Sequence, residues 1–136
     1  MRCLRYPLRF TIGEADGSAI MLSIASLAAA YSAPPTIPTI EIAPGVHMPM
    51  AGLGTWQYNS SVAEAATLAA LNMGYTHIDT ALGYLNQDGI ARAIKSSGRS
   101  RSSFFVTSKI PGGLSEKDAA SNLTLAVSQL GLDFID

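Results

Sequence analysis

Cysteine is almost missing from this 136-residue chain. Cys3 is the only one, which excludes an intrachain disulfide framework and every multi-cysteine metal site. Charge is scarce too: Asp, Glu, Lys and Arg make up 14% of the residues, against about 25% in an average soluble protein. Nine basic against ten acidic residues leave a net charge of −1. That balance offers none of the basic stripe that binding to nucleic acid requires. No apolar run reaches the roughly 18 residues needed to span a bilayer. The two histidines, His47 and His77, are too few to make a metal site. What is abundant is apolar residue, 48% of the chain, which excludes a wholly disordered polypeptide.

Residues 1–38 differ from the rest. Arg2, Arg5 and Arg9 precede the acidic Glu14 and Asp16, and an apolar run, AIMLSIASLAAA, extends from Ala19 to Ala30. YSAPPTIP then closes the stretch with small residues and three prolines. A short apolar run followed by small residues is the profile of a signal-peptide core and its cleavage site, although a secretory start is positive and lacks an acidic pair. Residues 1–38 therefore read as a leader, either a targeting segment or an unordered stretch, ahead of a fold occupying 39–136. The compartment is cytoplasmic by default, or another if that leader is cleaved. The triplets Asn59-Ser60-Ser61 and Asn122-Leu123-Thr124 would accept glycans only in a secretory route.

From residue 39 the pattern is regular. TIEI, the Pro44-Gly45 turn and Val46-His47-Met48 predict a β-hairpin. AGLGTW, Ala51 to Trp56, predicts a strand running into a turn. Asn59 or Ser60 is placed to cap a helix from Val62 to about Met73, with Glu64 in its first turn, Ala65, Leu68, Ala69 and Leu71 as its apolar residues, and Gly74 as its stop. YTHIDTA predicts the next strand, and Gln87 to Ser97 a helix ended by Gly98. FFVTSKI reads as a buried strand. Ser115 caps a helix to Leu130 whose inward face carries Ala119, Leu123, Ala126, Val127 and Leu130, and Leu132 to Ile135 begins a fourth strand. Strands alternating with helices mean βαβ units and a parallel sheet.

Two α/β folds compete for this pattern. A doubly wound dinucleotide-binding domain places G-x-G-x-x-G after its first strand. Here Gly52-Leu53-Gly54-Thr55-Trp56-Gln57 lacks the third glycine, while Asp79 could still serve a ribose. A TIM barrel instead gathers functional residues at the C-terminal ends of its strands. Gly54-Thr55-Trp56, Asp79 to Tyr84, and Ser108-Lys109 all stand at such ends. Neighbouring parallel strands lie about 5 Å apart, so Asp79 and Lys109 fall within reach of an ion pair. The barrel accounts for more residues.

Four motifs, GLGTW, GYTHIDTALGYLNQ, FFVTSKI and LGLDFID, occur in the order and at the intervals of the aldo-keto reductases, and residues 40–136 resemble the N-terminal half of that family. Asp79 and Tyr84 stand five apart as in the family signature, and Lys109 follows thirty residues after Asp79. The chain departs from the pattern at Thr76, where the family usually has Arg, and at Ala91, where it has Gly. Gln87 replaces the usual Glu.

The resemblance implies a partial (β/α)8 barrel of about four parallel strands and three helices, preceded by the hairpin. It also implies NADPH-dependent reduction of aldehydes or ketones by hydride transfer, with Tyr84 as general acid and Lys109 and Asp79 tuning it. Gly54, Thr55, Trp56 and Asp79 would contact NADP(H), and Trp56 and Tyr84 the carbonyl substrate. The chemistry is coherent, because a phenol is a weak acid at neutral pH and a neighbouring cation favours its phenolate form. Asp79 would hold that cation in place.

Plainer roles exist for each residue. Asp79 could cap a helix or form a turn, Tyr84 could be a rim aromatic, and Trp56 could fill a core. A lysine ending an apolar strand is harder to explain without a partner. His47, in the hairpin, lies far from the chemistry, and His77, within the second parallel strand, reads as a satisfied packing residue. The family's catalytic histidine stands at the end of the fourth strand, the one LDFID lies within, and its adenosine-phosphate loops come later still. This chain alone is accordingly expected to fold poorly, bind NADPH weakly and show little activity. The alternatives are a noncatalytic α/β module that packs its open edge on a partner, and a degenerate Rossmann domain. Sequential strand order would oppose the latter.

Overall fold

The computed structural model describes residues 36–136. The proposed leader therefore lies almost wholly outside the described residues. Strand β1 (Thr39–Ala43) turns back on β2 (Val46–Pro49) as an antiparallel hairpin with a register shift between Glu41 and Ala43. Gly45 forms the turn at φ +76°, and its N–H donates to Glu41 Oε1 at 2.9 Å.

The second sheet is parallel, with β3 (Leu53–Gly54), β4 (His77–Asp79) and β5 (Phe105–Thr107) as neighbours in that order. Sequential order is that of a barrel wall, but the first three strands of a doubly wound sheet run in the same order. What opposes the Rossmann alternative is that the next segment lies beside β5, where Asp136 N–H meets the Val106 carbonyl, and not beside β3. The order, the parallel pairing and the helical crossovers make this a partial (β/α)8 barrel. Gly54 pairs with Asp79 and Asp79 with Thr107, so the three strands end side by side.

The expected fourth strand is a correction. Leu132 to Ile135 carries no ladder, and the sheet among the described residues has three parallel strands. One backbone bond reaches toward that position, from Asp136 N–H to the Val106 carbonyl at 3.2 Å. The Asp136 carboxylate accepts the Val106 N–H at 2.8 Å, so a side chain stands where a ladder bond would run.

Three helices cross between these strands. Helix α1 (Ser60–Asn72) is capped by Asn59, whose side chain accepts from Val62 N–H at 2.9 Å. It starts two residues earlier than predicted, which carries Glu64 out of the first turn, and its carboxylate pairs instead with Arg92 at 2.6 Å. Its buried face is Ala63, Thr67, Ala70 and Leu71, while Ala65 and Ala69 are exposed. So many small apolar residues leave the facing stripe open to a shift of one position. Helix α2 (Gln87–Ser97) and helix α3 (Glu116–Leu130) match their predicted bounds, ending at Gly98 and Gly131 with φ of +65° and +63°. Ser115 caps α3 through a bond from Asp118 N–H.

Gly89 sets the approach of α2 to α1: a Cβ there would stand 2.1 Å from the Ser60 carbonyl oxygen. Only glycine fits. Ala91, where the resemblance leads one to expect glycine, faces Gly131 without crowding: even a Cβ there would meet the Ala91 methyl at 3.9 Å, an ordinary contact. The core gathers Ala63, Leu71, Ile78, Ile90, Phe104, Val106 and Leu130 between sheet and helices. Along α3 the expected inward face is only partly covered. Ala126 and Leu130 are buried, whereas Leu123 is half exposed in an apolar groove of about 390 Å³ with Ile110 and Ile135. No helix among the described residues is long and apolar enough to cross a membrane.

Candidate active site

The alternation of a strand sends Ile78 into the core and leaves His77 and Asp79 on the opposite face. Phe105, Thr107 and, two residues on, Lys109 share that face of β5. His77 is consumed by packing. Its Nδ1 lies 3.1 Å from the Pro49 carbonyl, its Nε2 lies 3.0 Å from Thr107 Oγ1, and its ring meets Phe105 edge-on at 5.2 Å. Since a carbonyl can only accept, the ring donates from Nδ1. These contacts also attach the hairpin to the N-terminal end of β4, where His47 lines a cleft with Thr76 and Phe104.

At the other end of the strands three elements converge. The Lys109 ammonium donates to Asp79 Oδ1 at 2.6 Å, to the Thr80 carbonyl at 3.0 Å and to the Tyr84 hydroxyl at 3.4 Å. An ammonium has three N–H bonds, and here three acceptors meet them. Tyr84 arrives from a short 3₁₀ turn, Leu82–Tyr84, whose first N–H donates to the Lys109 carbonyl at 3.0 Å. Lysine and turn therefore hold each other twice, by backbone and by side chain. Burial pulls the Lys109 pKa down, but hydrogen bonds to Asp79 and Tyr84, with their charges, pull harder, and the net is a raised value. Side-chain exposures of 47% for Lys109 and 39% for Asp79 leave the pair open to solvent and to a ligand.

The β3 side completes the site. Gly54 has nothing within 4 Å of where a Cβ would stand, so its backbone is bare. Thr55 is fully buried, and its N–H and hydroxyl both donate to the Asp79 carbonyl, at 3.0 and 3.2 Å. It ties β3 to β4 and offers no free hydroxyl. Trp56 is 66% exposed and so does not fill a core. It sits in a turn closed by Tyr58 N–H to the Thr55 carbonyl at 3.3 Å, with Gln57 at φ +63°. A left-handed non-glycine residue costs roughly 1–2 kcal/mol, so something must hold this turn.

The structure thus brings Asp79, Tyr84 and Lys109 into direct contact and sets Gly54 and Trp56 on the neighbouring strand end. Sequence reasoning missed the roles of two buried polar residues beneath them. Asn86 bridges two loops by hydrogen bonds, and Gln87 donates from Nε2 to Ser108 Oγ at 2.9 Å, with Oε1 left without a partner. A full set of polar residues inside NQDG at a helix start was the available signal, but it reads equally as ordinary capping.

Comparison with known proteins agrees with the fold. The profile of the Aldo/keto reductase family matches residues 50–136. Aldehyde reductase YPR1 of Saccharomyces cerevisiae is 38% identical over 98 residues, which are 72% of this chain and 31% of that protein. Glycerol 2-dehydrogenase (NADP(+)) of the same yeast is 42% identical over 92 residues, 68% of this chain and 29% of its own length. The crystal structure of an aldo/keto reductase from Brucella melitensis superposes with a TM-score of 0.71 at 35% identity, covering 74% of this chain and 40% of that one. The chain spans about a third of the length of the curated relatives it matches. With profile, sequence and fold in agreement over the same residues, this chain belongs to the aldo-keto reductase family.

Proposed function

We propose that the site serves NADPH-dependent reduction of a small aldehyde or ketone to an alcohol, with Tyr84 as the general acid. The observation that carries this reading is the Lys109 ammonium, which touches both Asp79 and the Tyr84 hydroxyl. The NADP(+) in the name of one relative supports the choice of cofactor.

The residues present suit a nicotinamide cofactor. The bare backbone at Gly54 lets a flat ring approach, exposed Trp56 offers an aromatic face beside it, and Asp79 has a second carboxylate oxygen free of the Lys109 bond for a ribose hydroxyl. Thr55 acts beneath, holding the strand end that carries Asp79. NADPH bound there supplies the hydride.

When a carbonyl carbon gains a hydride its oxygen becomes an alkoxide, and a proton must arrive from a positioned acid. Tyr84 gives its phenolic proton to that oxygen and becomes a phenolate. The ammonium at 3.4 Å stabilises this charge, and Lys109 is exposed enough to return a proton from water. Asp79 keeps the ammonium charged and aimed. Trp56 and Tyr84 form the wall against which a substrate rests.

The test is NADPH oxidation by the purified chain over a panel of small aldehydes, at enzyme concentrations high enough to register the low activity expected of the chain alone, compared with Tyr84→Phe. General acid catalysis contributes about 100-fold or more, so the variant is expected to lose at least that. A Tyr84→Phe protein that turns over at the unaltered rate would remove tyrosine from the chemistry.

A further inference from the structure

Asn86 occupies the N-cap position of α2, where an asparagine side chain ordinarily accepts a bond from the helix's own first turn. It makes no such bond. Its side chain is fully buried and turned away from the helix. One amide N–H donates to the Thr55 carbonyl at 2.8 Å and the other to the Tyr58 carbonyl at 2.9 Å, while Oδ1 lies 3.5 Å from the Thr80 hydroxyl. The two carbonyls are the two ends of the turn that carries Trp56. Asn86 itself stands two residues after Tyr84.

We propose that Asn86 is a positioning residue that locks the Trp56 turn to the Tyr84 loop, fixing the aromatic wall of the site against its proton donor. This rests on the carbonyl-reductase reading for its purpose, though not for its geometry.

Backbone strain supports the assignment. Gln57 and Leu85 are the two non-glycine residues at positive φ among the described residues, at +63° and +56°. Gln57 lies inside the bridged turn, and Leu85 immediately precedes Asn86. Left-handed backbone on such residues persists only where surroundings over-determine it, and it gathers at functional sites. A single amide touches both strained segments. No other side chain of similar size can replace it. Aspartate would set carboxylate oxygens against two carbonyl oxygens, and leucine would leave the Tyr58 carbonyl without a side-chain donor.

The experiment exploits Trp56, the only tryptophan of the chain and 66% exposed. Its fluorescence anisotropy reports the turn directly and needs no cofactor. In Asn86→Asp the anisotropy is expected to fall toward that of the urea-unfolded chain, while far-ultraviolet circular dichroism keeps its helical signal. Thr80→Val, which removes only the 3.5 Å contact, should leave the anisotropy near the unaltered level. Should Asn86→Asp fail to fold, the unaltered protein decides the matter by NMR. Both protons of the Asn86 side-chain amide are expected to exchange with solvent more slowly than those of the exposed Asn122. A folded Asn86→Asp with unchanged Trp56 anisotropy, or an Asn86 amide exchanging as fast as that of Asn122, overturns the proposal. Adding NADPH tests the other reading separately. Because weak binding is expected, NADPH is raised to millimolar concentration; if Trp56 emission in the unaltered protein shows no quenching even there, the cofactor assignment fails while the bridge stands.

Discussion

Strand β5 carries a cation at each end, and the two are built differently. Before the strand, Arg101 pairs with Asp136, donates to the Phe104 carbonyl at 2.7 Å and the Phe134 carbonyl at 3.2 Å, and stacks over the Phe134 ring at 4.0 Å. Side-chain exposure there is 17% and 20%. After the strand, Lys109 pairs with Asp79 at side-chain exposures of 47% and 39%. A planar guanidinium between aromatic rings suits a closed structural clamp, whereas a compact ammonium on a flexible stem suits a place where charge changes during turnover. One ion pair is closed within the fold and the other stands open to solvent.

Breaking the closed pair should have the largest effect on stability. Arg101→Met leaves the Asp136 carboxylate and two carbonyls short of a partner. Losing one member of a largely buried pair costs on the order of 3 kcal/mol, which a urea titration would register as a lower midpoint. Arg101→Lys should recover little of it, because an ammonium cannot stack or fork as the guanidinium does. Recovery of the full midpoint by lysine would erase the contrast between the two pairs.

Breaking the open pair should do the reverse. Lys109→Met is expected to reduce NADPH-dependent reduction by about 100-fold, yet to change unfolding free energy by less than about 1 kcal/mol, as exposed ion pairs do. A large stability loss with activity retained would recast Lys109 as structural.

The next effect is smaller and lies at alkaline pH. The folded pKa of Lys109 is raised, so its contribution to stability is complete below the ordinary lysine value of about 10.4 and is lost as pH rises through the folded value. A stability profile should show this step in the unaltered protein and lack it in Lys109→Met. The Arg101 pair supplies no such step, since a guanidinium is not deprotonated in proteins.

The smallest effect concerns an exposed pair on the helices. Hydrogen bonds from Ser60 and Arg92 lower the pKa of Asp88. Its contribution is therefore present above about pH 3.9 and lost as pH falls through the folded value. Asp88→Asn should remove that acid-side step with little change in neutral-pH stability.

How much of this was legible in the sequence depended on the range of the interaction. Asn59, Ser115, Gly98 and Gly131 announce helix ends because capping acts within four residues. Asp79, Tyr84 and Lys109 were legible as a family pattern, and strand spacing explained why they could meet. The buried face of α1 was not legible, because alanines on every side give no strong amphipathic signal. The role of Asn86 was hidden because its residue type at a helix start fits a local cap as well as a distant bridge.

The sequence by itself determined the alternation of strands and helices, the caps, and the residue types available at each strand end, because these follow from backbone propensity and periodic burial. Only the tertiary structure decided that Thr55 is a buried tie, that Trp56 is exposed, and that Asn86 abandons its helix to bridge two loops. It also decided which of two cations on one strand is closed and which is open. Those outcomes depend on what packs within a few ångströms from 20 to 35 residues away along the chain, and that proximity exists only once the sheet has formed.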